Sequence, residues 1–157
     1  MFLQNLRAKV GARLNGDSEG GFTLIELLVV MLILGILAAI AIPAFFNQRD
    51  KGTDAQAKAA VRTAQTAIET FATDNGGLYE DADENPGALS AIEPTLEEVD
   101  LTVTAGADSY TVAVQSDTET SFSIARVAPT ATTPGSVTFS CDDPGEGGCP
   151  SDSDWSN

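Results

Sequence analysis

Apolar and polar positions divide the chain into two regions with different patterns. Residues 22–46 are apolar almost without interruption, whereas polar residues dominate the rest of the chain. As an α-helix, this run would be about 37 Å long, which is enough to cross the hydrocarbon layer of a bilayer. A helix that is apolar on every side is typical of a membrane span. The pattern therefore predicts a membrane-spanning helix in residues 22–48.

A helical pattern continues beyond the apolar run, but with only one apolar side. Apolar residues recur there at spacings of three and four: Ala57, Val61, Ala64, Ile68 and Phe71. This stripe is typical of an amphipathic helix packed against a core, and Asn75, followed by two glycines, provides a stop signal. The two patterns together predict one long helix from Phe22 to Asn75.

Three later segments alternate between apolar and polar residues, as strands with one buried face do. They are Ser109–Gln115, Ser121–Val127 and Ser136–Cys141. The residues that share one face would be Tyr110, Val112 and Val114 in the first segment, Phe122 and Ile124 in the second, and Val137 and Phe139 in the third. The pattern predicts a small antiparallel sheet that covers the amphipathic half of the helix.

The predicted fold is therefore α+β. Residues 1–21 form a polar leader, residues 22–48 the apolar helix, and residues 49–157 a globular head. Within the head we expect the second half of the helix at 49–75, a loop at 76–108 with a short helix near Ala88–Ile92, the sheet at 109–141, and a disulfide loop and loosely held tail at 141–157.

Charge narrows the possible partners of the head. The chain has a net charge of −15 and no histidine. Most acids lie beyond residue 62, where Arg126 is the single base. Such a surface repels phosphate backbones, so we expect no direct nucleic-acid binding. The sequence offers no constellation of catalytic residues, so it predicts neither an enzyme nor a cofactor.

Cys141 and Cys149 lie eight residues apart near the C-terminus. In an exported protein such a pair indicates a disulfide that closes a short loop. A zinc site would usually need four ligands and closer spacing. Several acids follow Cys141, but their spacing matches no known calcium loop, so we predict a disulfide and no metal.

The junction at Gly21-Phe22 carries the most informative chemistry. Glu26 places a carboxylate in the first turn of the apolar helix, where an acid costs free energy unless it is paired. The run 22–46 contains no base. Cleavage after Gly21 would create a cation, the new α-amino group of Phe22. A location of Glu26 at the membrane interface is the simpler alternative.

These residues resemble the N-terminus of type IV pilins and pseudopilins, in which a glycine and a cleavage point precede Phe-Thr-Leu-Ile-Glu and a long apolar helix. The resemblance runs from Gly21 to about Asn47 and includes Gly35 and Pro43. In the head it is architectural only.

The resemblance implies a role for each matching residue. A prepilin peptidase would cut between Gly21 and Phe22 and methylate the Phe22 amine. Glu26 would pair with the Phe22 amine of a neighbouring subunit during assembly, and the segment Gly35–Pro43 would act as a helix hinge. The implied partners are other copies of the chain, the peptidase, the pilus assembly platform protein with its ATPase machinery, and the membrane before assembly.

The function implied is a structural one, the major pilin of a type IV pilus. The precursor would lie in the cytoplasmic membrane with its N-terminus inside, and the subunit would end in an extracellular filament. Alternatives within the family are a pseudopilin of a type II secretion-like system and a minor or competence pilin. Outside it, the alternatives are a secreted protein cut near Ala39-Ile40-Ala41 and an uncut membrane-anchored protein.

Overall fold

A computed structural model describes residues 21–82 and 87–156. The predicted leader, residues 1–21, lies outside the described residues except for Gly21. The chain divides into two compact units at the bond between Ile42 and Pro43.

The long helix predicted from the sequence is present. Helix α1 spans Leu24–Asp74 and includes Pro43. It ends at a turn where Gly76 has a φ of 71° and Gly77 a φ of 91°. The Gly77 amide donates to the Ala72 carbonyl at 2.7 Å, which satisfies a carbonyl that the helix leaves open.

The apolar part of α1 is exposed in the isolated chain. Every side chain from Phe22 to Ile42 is solvent-exposed. By its length and composition, α1 contains a segment that could cross a membrane. A continuous apolar surface of this kind needs to be covered by lipid or protein, because its exposure to water costs free energy.

The head contains a four-stranded antiparallel sheet in the order β1-β2-β3-β4. The strands are β1 Leu101–Ala105, β2 Tyr110–Gln115, β3 Ser121–Val127 and β4 Ser136–Cys141. The last three confirm the predicted strands to within one residue.

The predicted loop at 76–108 is wrong in part, because it contains β1. Leu101, Val103 and Ala105 alternate with threonines and are half-buried, since β1 lies at the edge of the sheet. The same stretch also contains helix α2, Gly87–Ile92, and short 3-10 helices at Glu80–Ala82 and Pro94–Glu98. The short helix expected near Ala88 is thereby confirmed.

The core of the head forms where the apolar stripe of α1 meets the inner face of the sheet. Val61, Ala64 and Ile68 on the helix are fully buried together with Val112 and Ile124 on the sheet. The stripe predicted to belong to the core is therefore confirmed, with Phe71 only partly buried at its end.

At the C-terminal side of the head, one prediction is confirmed and one is wrong. Val137 lies on the same face of β4 as Phe139, as predicted, although it is 40% exposed because it lies near the start of an edge strand. The tail after Cys149 is not loosely held, since Trp155 is 2% exposed and packs edge-on against Phe122 and Phe139. Its indole N–H donates to the Ser140 carbonyl at 2.9 Å, so the ring is both packed and hydrogen-bonded.

Candidate functional site

The candidate assembly site lies at the start of α1. Gly21, Phe22 and Thr23 precede the helix, and Phe22 is 83% exposed. Glu26 lies in the first turn, and its Oε2 accepts hydrogen bonds from the Thr23 amide and the Thr23 hydroxyl, each at 2.8 Å. The Glu26 amide donates to the Thr23 hydroxyl at 3.3 Å. This is a capping box, with both residues satisfying open helix donors.

The capping box holds the Glu26 carboxylate beside the backbone next to the predicted cleavage point. Both hydrogen bonds end on Oε2, so the described donors leave Oε1 for a further donor. The helix N-terminus also favours negative charge there. Reasoning from the sequence left Glu26 without a partner in its own chain, although a threonine three residues before a glutamate is a recognisable capping signal.

The two predicted hinge residues lie inside the continuous helix. A Cβ added at Gly35 would meet no atom of residues 21–82 or 87–156 within 4 Å, so nothing in that part of the chain requires a glycine there. Pro43 removes one helical hydrogen bond and yet remains within α1. The hinge at Gly35–Pro43 therefore stays a prediction about the assembled protein.

The predicted disulfide between Cys141 and Cys149 is present, with a Cα–Cα distance of 5.9 Å. Both cysteines are buried. The loop that they close is also bound to the helix, since the Gly148 amide donates to Asp54 and Lys58 Nζ donates to the Gly148 carbonyl, each at 2.6 Å.

Asp54 is the residue that sequence reasoning missed. It is fully buried, and its carboxylate accepts hydrogen bonds from the Ser116 hydroxyl at 2.7 Å, the Thr118 hydroxyl at 2.5 Å and the Gly148 amide. It thereby joins α1 to the β2–β3 turn and to the disulfide loop. The available signal was its position three residues before Ala57, in phase with the apolar stripe.

Glycine is required where the disulfide loop passes Asp54. A Cβ added at Gly148 would lie 2.8 Å from the Asp54 Cβ, closer than real Cβ contacts. The loop can therefore reach the carboxylate only because residue 148 has no side chain.

Glu69 forms a second polar link between α1 and the sheet. Its carboxylate accepts hydrogen bonds from the hydroxyls of Tyr79 and Tyr110, each at 2.9 Å, and pairs with Arg126 at 3.1 Å. Burial, followed by the hydrogen bond to the anionic Glu69, raises the pKa of both tyrosines, because their deprotonated forms would lose solvation and meet a like charge.

Two of the bases on the head part of α1, Lys58 and Arg62, lie over aromatic rings. Lys58 Nζ lies 5.1 Å from the centre of the Phe122 ring, and the Arg62 guanidinium lies 5.2 Å from that of Trp155. Burial lowers the pKa of Lys58. These cation–π contacts stabilise the packing of the tail against the helix. They place the positive charges of Lys58 and Arg62 within a chain that is strongly acidic overall.

Two acids near the disulfide loop accept hydrogen bonds from backbone amides. The Ser121 amide donates to Asp142 at 2.7 Å, and the Ser156 amide donates to Asp154 at 2.9 Å. The latter bond lowers the pKa of Asp154. Across residues 21–82 and 87–156, no three His, Cys, Asp or Glu side chains are grouped to hold a metal ion.

Comparisons with known proteins identify the N-terminal segment. Residues 17–42 match the family model of the prokaryotic N-terminal methylation motif. Fimbrial protein Q of Moraxella bovis is 34% identical over 90 residues, which is 57% of this chain and 52% of that protein. No solved structure matches the chain significantly.

Two further relatives represent different branches. The type II secretion system core protein G of Pseudomonas aeruginosa is 39% identical over 57 residues, 36% of this chain and 40% of that protein. The type IV major pilin protein PilA of Myxococcus xanthus is 47% identical over 51 residues, 32% of this chain and 23% of that protein. The chain thus covers about half or less of the length of each relative. In its N-terminal methylation motif and in its similarity to these relatives, the chain resembles type IV pilins and type II secretion proteins.

Proposed function

We propose that the protein is the major pilin of a type IV pilus, a structural subunit rather than an enzyme. The observation that carries the proposal is a carboxylate, Glu26, held at the start of the apolar part of α1, in which every side chain from Phe22 to Ile42 is exposed. Such a segment has its partners outside its own chain, and Glu26, the only acid in residues 22–46, lies where a neighbour's cation can bind.

The proposed maturation begins with cleavage between Gly21 and Phe22 by a prepilin peptidase, which also methylates Phe22. The leader stays in the cytoplasm, and the apolar helix holds the precursor in the membrane. The new Phe22 amine is positive at neutral pH. The amine of one subunit then binds Glu26 of the next, and Oε1 can receive it without loss of the Thr23 cap.

Assembly transfers the apolar helices from lipid to a bundle of like helices. Packing between side chains replaces contacts with lipid, and the buried acid gains its cation. The assembly platform protein and its ATPase machinery would supply the work of extraction. A hinge at Gly35–Pro43 would let the helices adjust to the bundle.

The second candidate function is that of a pseudopilin in a type II secretion-like system, which the similarity to core protein G favours. The disulfide that closes the C-terminal loop supports an exported head in either case, and the similarity to the major pilin protein PilA favours the pilus subunit. A minor or competence pilin has the same N-terminal chemistry and differs in its number of copies.

Mass spectrometry of the mature N-terminus, on protein sheared from cells, tests the proposal. A chain that begins at methylated Phe22 and forms most of the sheared filament is the expected result. A methylated chain that is rare in filaments would favour the minor pilin or pseudopilin. A chain that begins at Met1 or near Ile42 would overturn the proposal, and a Gly21→Val variant retained at full length is the matched control for cleavage.

A further inference from the structure

The turn that ends helix α1 carries a reactive pair of residues that the proposed function does not use. Asn75 and Gly76 are adjacent, and both are exposed, as is Gly77 after them. The backbone nitrogen that follows an asparagine can attack the side-chain amide. The attack is easiest when the following residue is glycine, because no side chain hinders the approach. The pair is therefore a candidate for spontaneous deamidation.

The nitrogen that would attack is free in the structure. Among the described residues, the Gly76 amide has no acceptor, although the amides on both sides of it are bonded. The Asn75 amide donates to the Phe71 carbonyl at 3.1 Å, and the Gly77 amide donates to the Ala72 carbonyl. A Cβ added at Gly76 would meet none of the described atoms within 4 Å, so the surroundings of this residue are open.

One hydrogen bond holds the side-chain amide that would be attacked. The Asn75 side-chain nitrogen donates to the Phe71 carbonyl at 2.8 Å, which satisfies a carbonyl at the helix end. This bond is exposed, and it opens easily because water replaces it at little net cost in free energy. Once it is open, the side chain can turn its carbonyl carbon toward the Gly76 nitrogen.

The other asparagines of residues 22–156 lack one of these features. Asn47 lies inside α1 and precedes Gln48, whose amide belongs to the helical hydrogen-bond ladder. Asn85 precedes Pro86, which has no N–H to lose. Deamidation by this route is thus expected at Asn75 and not at Asn47 or Asn85.

We propose that Asn75 is a site of spontaneous deamidation in the folded head and that the reaction loosens the end of α1. The Gly76 nitrogen loses its proton and forms a bond to Asn75 Cγ, and the side-chain nitrogen leaves as ammonia. Water then opens the cyclic imide. Breaking the bond from Cγ to the Gly76 nitrogen leaves aspartate at position 75, and breaking the bond from the main-chain carbonyl carbon leaves isoaspartate. Water is the only co-reactant.

Aspartate at position 75 weakens the cap of the helix. A carboxylate has no hydrogen to donate, so the Phe71 carbonyl loses its bond from the side chain. The new negative charge also lies at the C-terminal end of α1, directly after Asp74, where the helix dipole disfavours it. Both effects destabilise the last turn of the helix.

Isoaspartate changes the backbone itself. The chain then runs through Cγ, which adds a methylene group between α1 and Gly76. The bond from the Leu78 amide to the Asn75 carbonyl, at 3.4 Å, and the bond from the Gly77 amide to the Ala72 carbonyl, at 2.7 Å, both span this insertion. Neither bond can keep its geometry, so the turn that closes the helix is disturbed.

The test uses the full chain in detergent, so it does not depend on assembly into filaments. The folded chain and a sample unfolded in urea are incubated in water enriched in heavy oxygen, at about pH 7 and about pH 9. Trypsin cuts after Arg62 and Arg126. Mass spectrometry of peptide 63–126 then locates the label and separates aspartate from isoaspartate.

Asn75→Gln is the matched control variant. It keeps a side-chain amide, but its longer side chain must close a larger ring, which is slower. Asn47 is an internal reference in the same samples. The pair Asn15-Gly16 lies outside the described residues and in a different tryptic peptide, so it does not affect the result.

The expected result is a label at Asn75 in the folded chain, in both products, and none at Asn47 or in Asn75→Gln over the same time. The rate should rise with pH, because the attacking nitrogen must lose a proton. Since one exposed hydrogen bond has to open, the folded chain should react no more than about ten-fold more slowly than the unfolded chain.

A folded chain that takes up no label at Asn75, or that is protected more than about ten-fold, would overturn the proposal. So would a label at Asn47 at the same rate, or in Asn75→Gln at the wild-type rate, because the Asn-Gly pair would then not be the cause. Each of these results leaves the proposed function intact.

Loosening of the helix end is measured on the same samples. The urea midpoint for protease resistance should be lower for aged wild type and for Asn75→Asp than for fresh wild type, whereas Asn75→Gln should not change on ageing. Equal midpoints for fresh and aged wild type would overturn the loosening of α1. Equal midpoints for fresh wild type and Asn75→Asp would overturn the role of the cap.

Discussion

Two stretches of helix α1 differ in whether their apolar surface is covered by the rest of the chain. Between residues 24 and 42, apolar side chains point in all directions and all are exposed in the single chain. Between residues 54 and 71, a single stripe is apolar, and it is buried against the sheet. A stripe thus indicates a partner within the chain, and an all-round apolar surface indicates partners outside it.

Each stretch also carries a carboxylate in phase with its apolar residues, Glu26 in the first and Asp54 in the second, and the two differ in the same way. Asp54 is bound by three donors from distant parts of its own chain. Glu26 is bound only by Thr23, three residues before it, among the described residues. The acid of the head is therefore satisfied within the chain, while the acid of the apolar helix keeps capacity for a partner from another subunit.

The largest expected effect on assembly comes from Glu26→Ala, which removes the acid proposed to bind another subunit. We expect the N-terminus still to be processed, since the cleavage point is unchanged, but the filament yield to fall at least about ten-fold, or by about 1.4 kcal/mol or more in assembly free energy. Sheared filament mass and the mature N-terminus are the measurements.

Glu26→Gln is the matched control for that experiment, because the amide oxygen can keep the helix cap while the negative charge is lost. If Gln assembles normally and Ala does not, the cap rather than the ion pair is what assembly needs. Normal filaments from both variants would contradict the pairing altogether.

Trp155→Ala should have the largest effect inside the head. The ring is buried against Phe122 and Phe139, so its removal leaves a cavity and costs about 3–5 kcal/mol. The urea midpoint for protease resistance of the full chain in detergent measures this loss. Trp155→Phe should recover most of it, and Ser151→Ala, on an exposed tail residue, should leave the midpoint unchanged.

Asp54→Ala tests the acid that is satisfied within the chain. Its removal leaves the hydroxyls of Ser116 and Thr118 and the Gly148 amide without their acceptor, which should cost about 2–3 kcal/mol of head stability. Asp117→Ala, at an exposed position of the same β2–β3 turn, is the control and should cost less than about 0.5 kcal/mol. Equal losses in the two variants would mean that the Asp54 contacts add little.

Patterns with a regular period predicted most of the fold. The stripe from Ala57 to Ile68 and the alternation in β2 and β3 repeat often enough to identify their buried faces. Strand β1 was not predicted because its alternation covers only five residues, whose side chains are small or half-buried. The burial of Trp155 was not predicted because it depends on a tertiary contact, which the local sequence does not reveal.

The candidate assembly site was predictable for a different reason. Phe22 and Glu26 are close in sequence, so their chemistry can be read without the fold. Asp54, in contrast, binds residues more than sixty positions away. A charged residue in phase with an apolar stripe signals that partners exist, but only the folded chain identifies Ser116 and Gly148.

The smallest expected effect concerns pH and acts only on the head. Burial and the hydrogen bond to Glu69 raise the pKa of Tyr110. Above about pH 10 the unfolded chain therefore loses the tyrosine proton while the folded head keeps it, so head stability is full below that pH and falls as the pH rises. Tyr79, which also bonds to Glu69, has its pKa raised too and should contribute in the same direction.

Tyr110→Phe should make the head less stable at pH 7, since it loses the bond to Glu69, and should flatten the decline in stability between pH 9 and about pH 11.5. Urea midpoints across that range, in wild type and variant, measure both effects. Equal declines would show that Tyr110 does not control the response, and filament assembly through Glu26 should be insensitive to this substitution as long as the head stays folded.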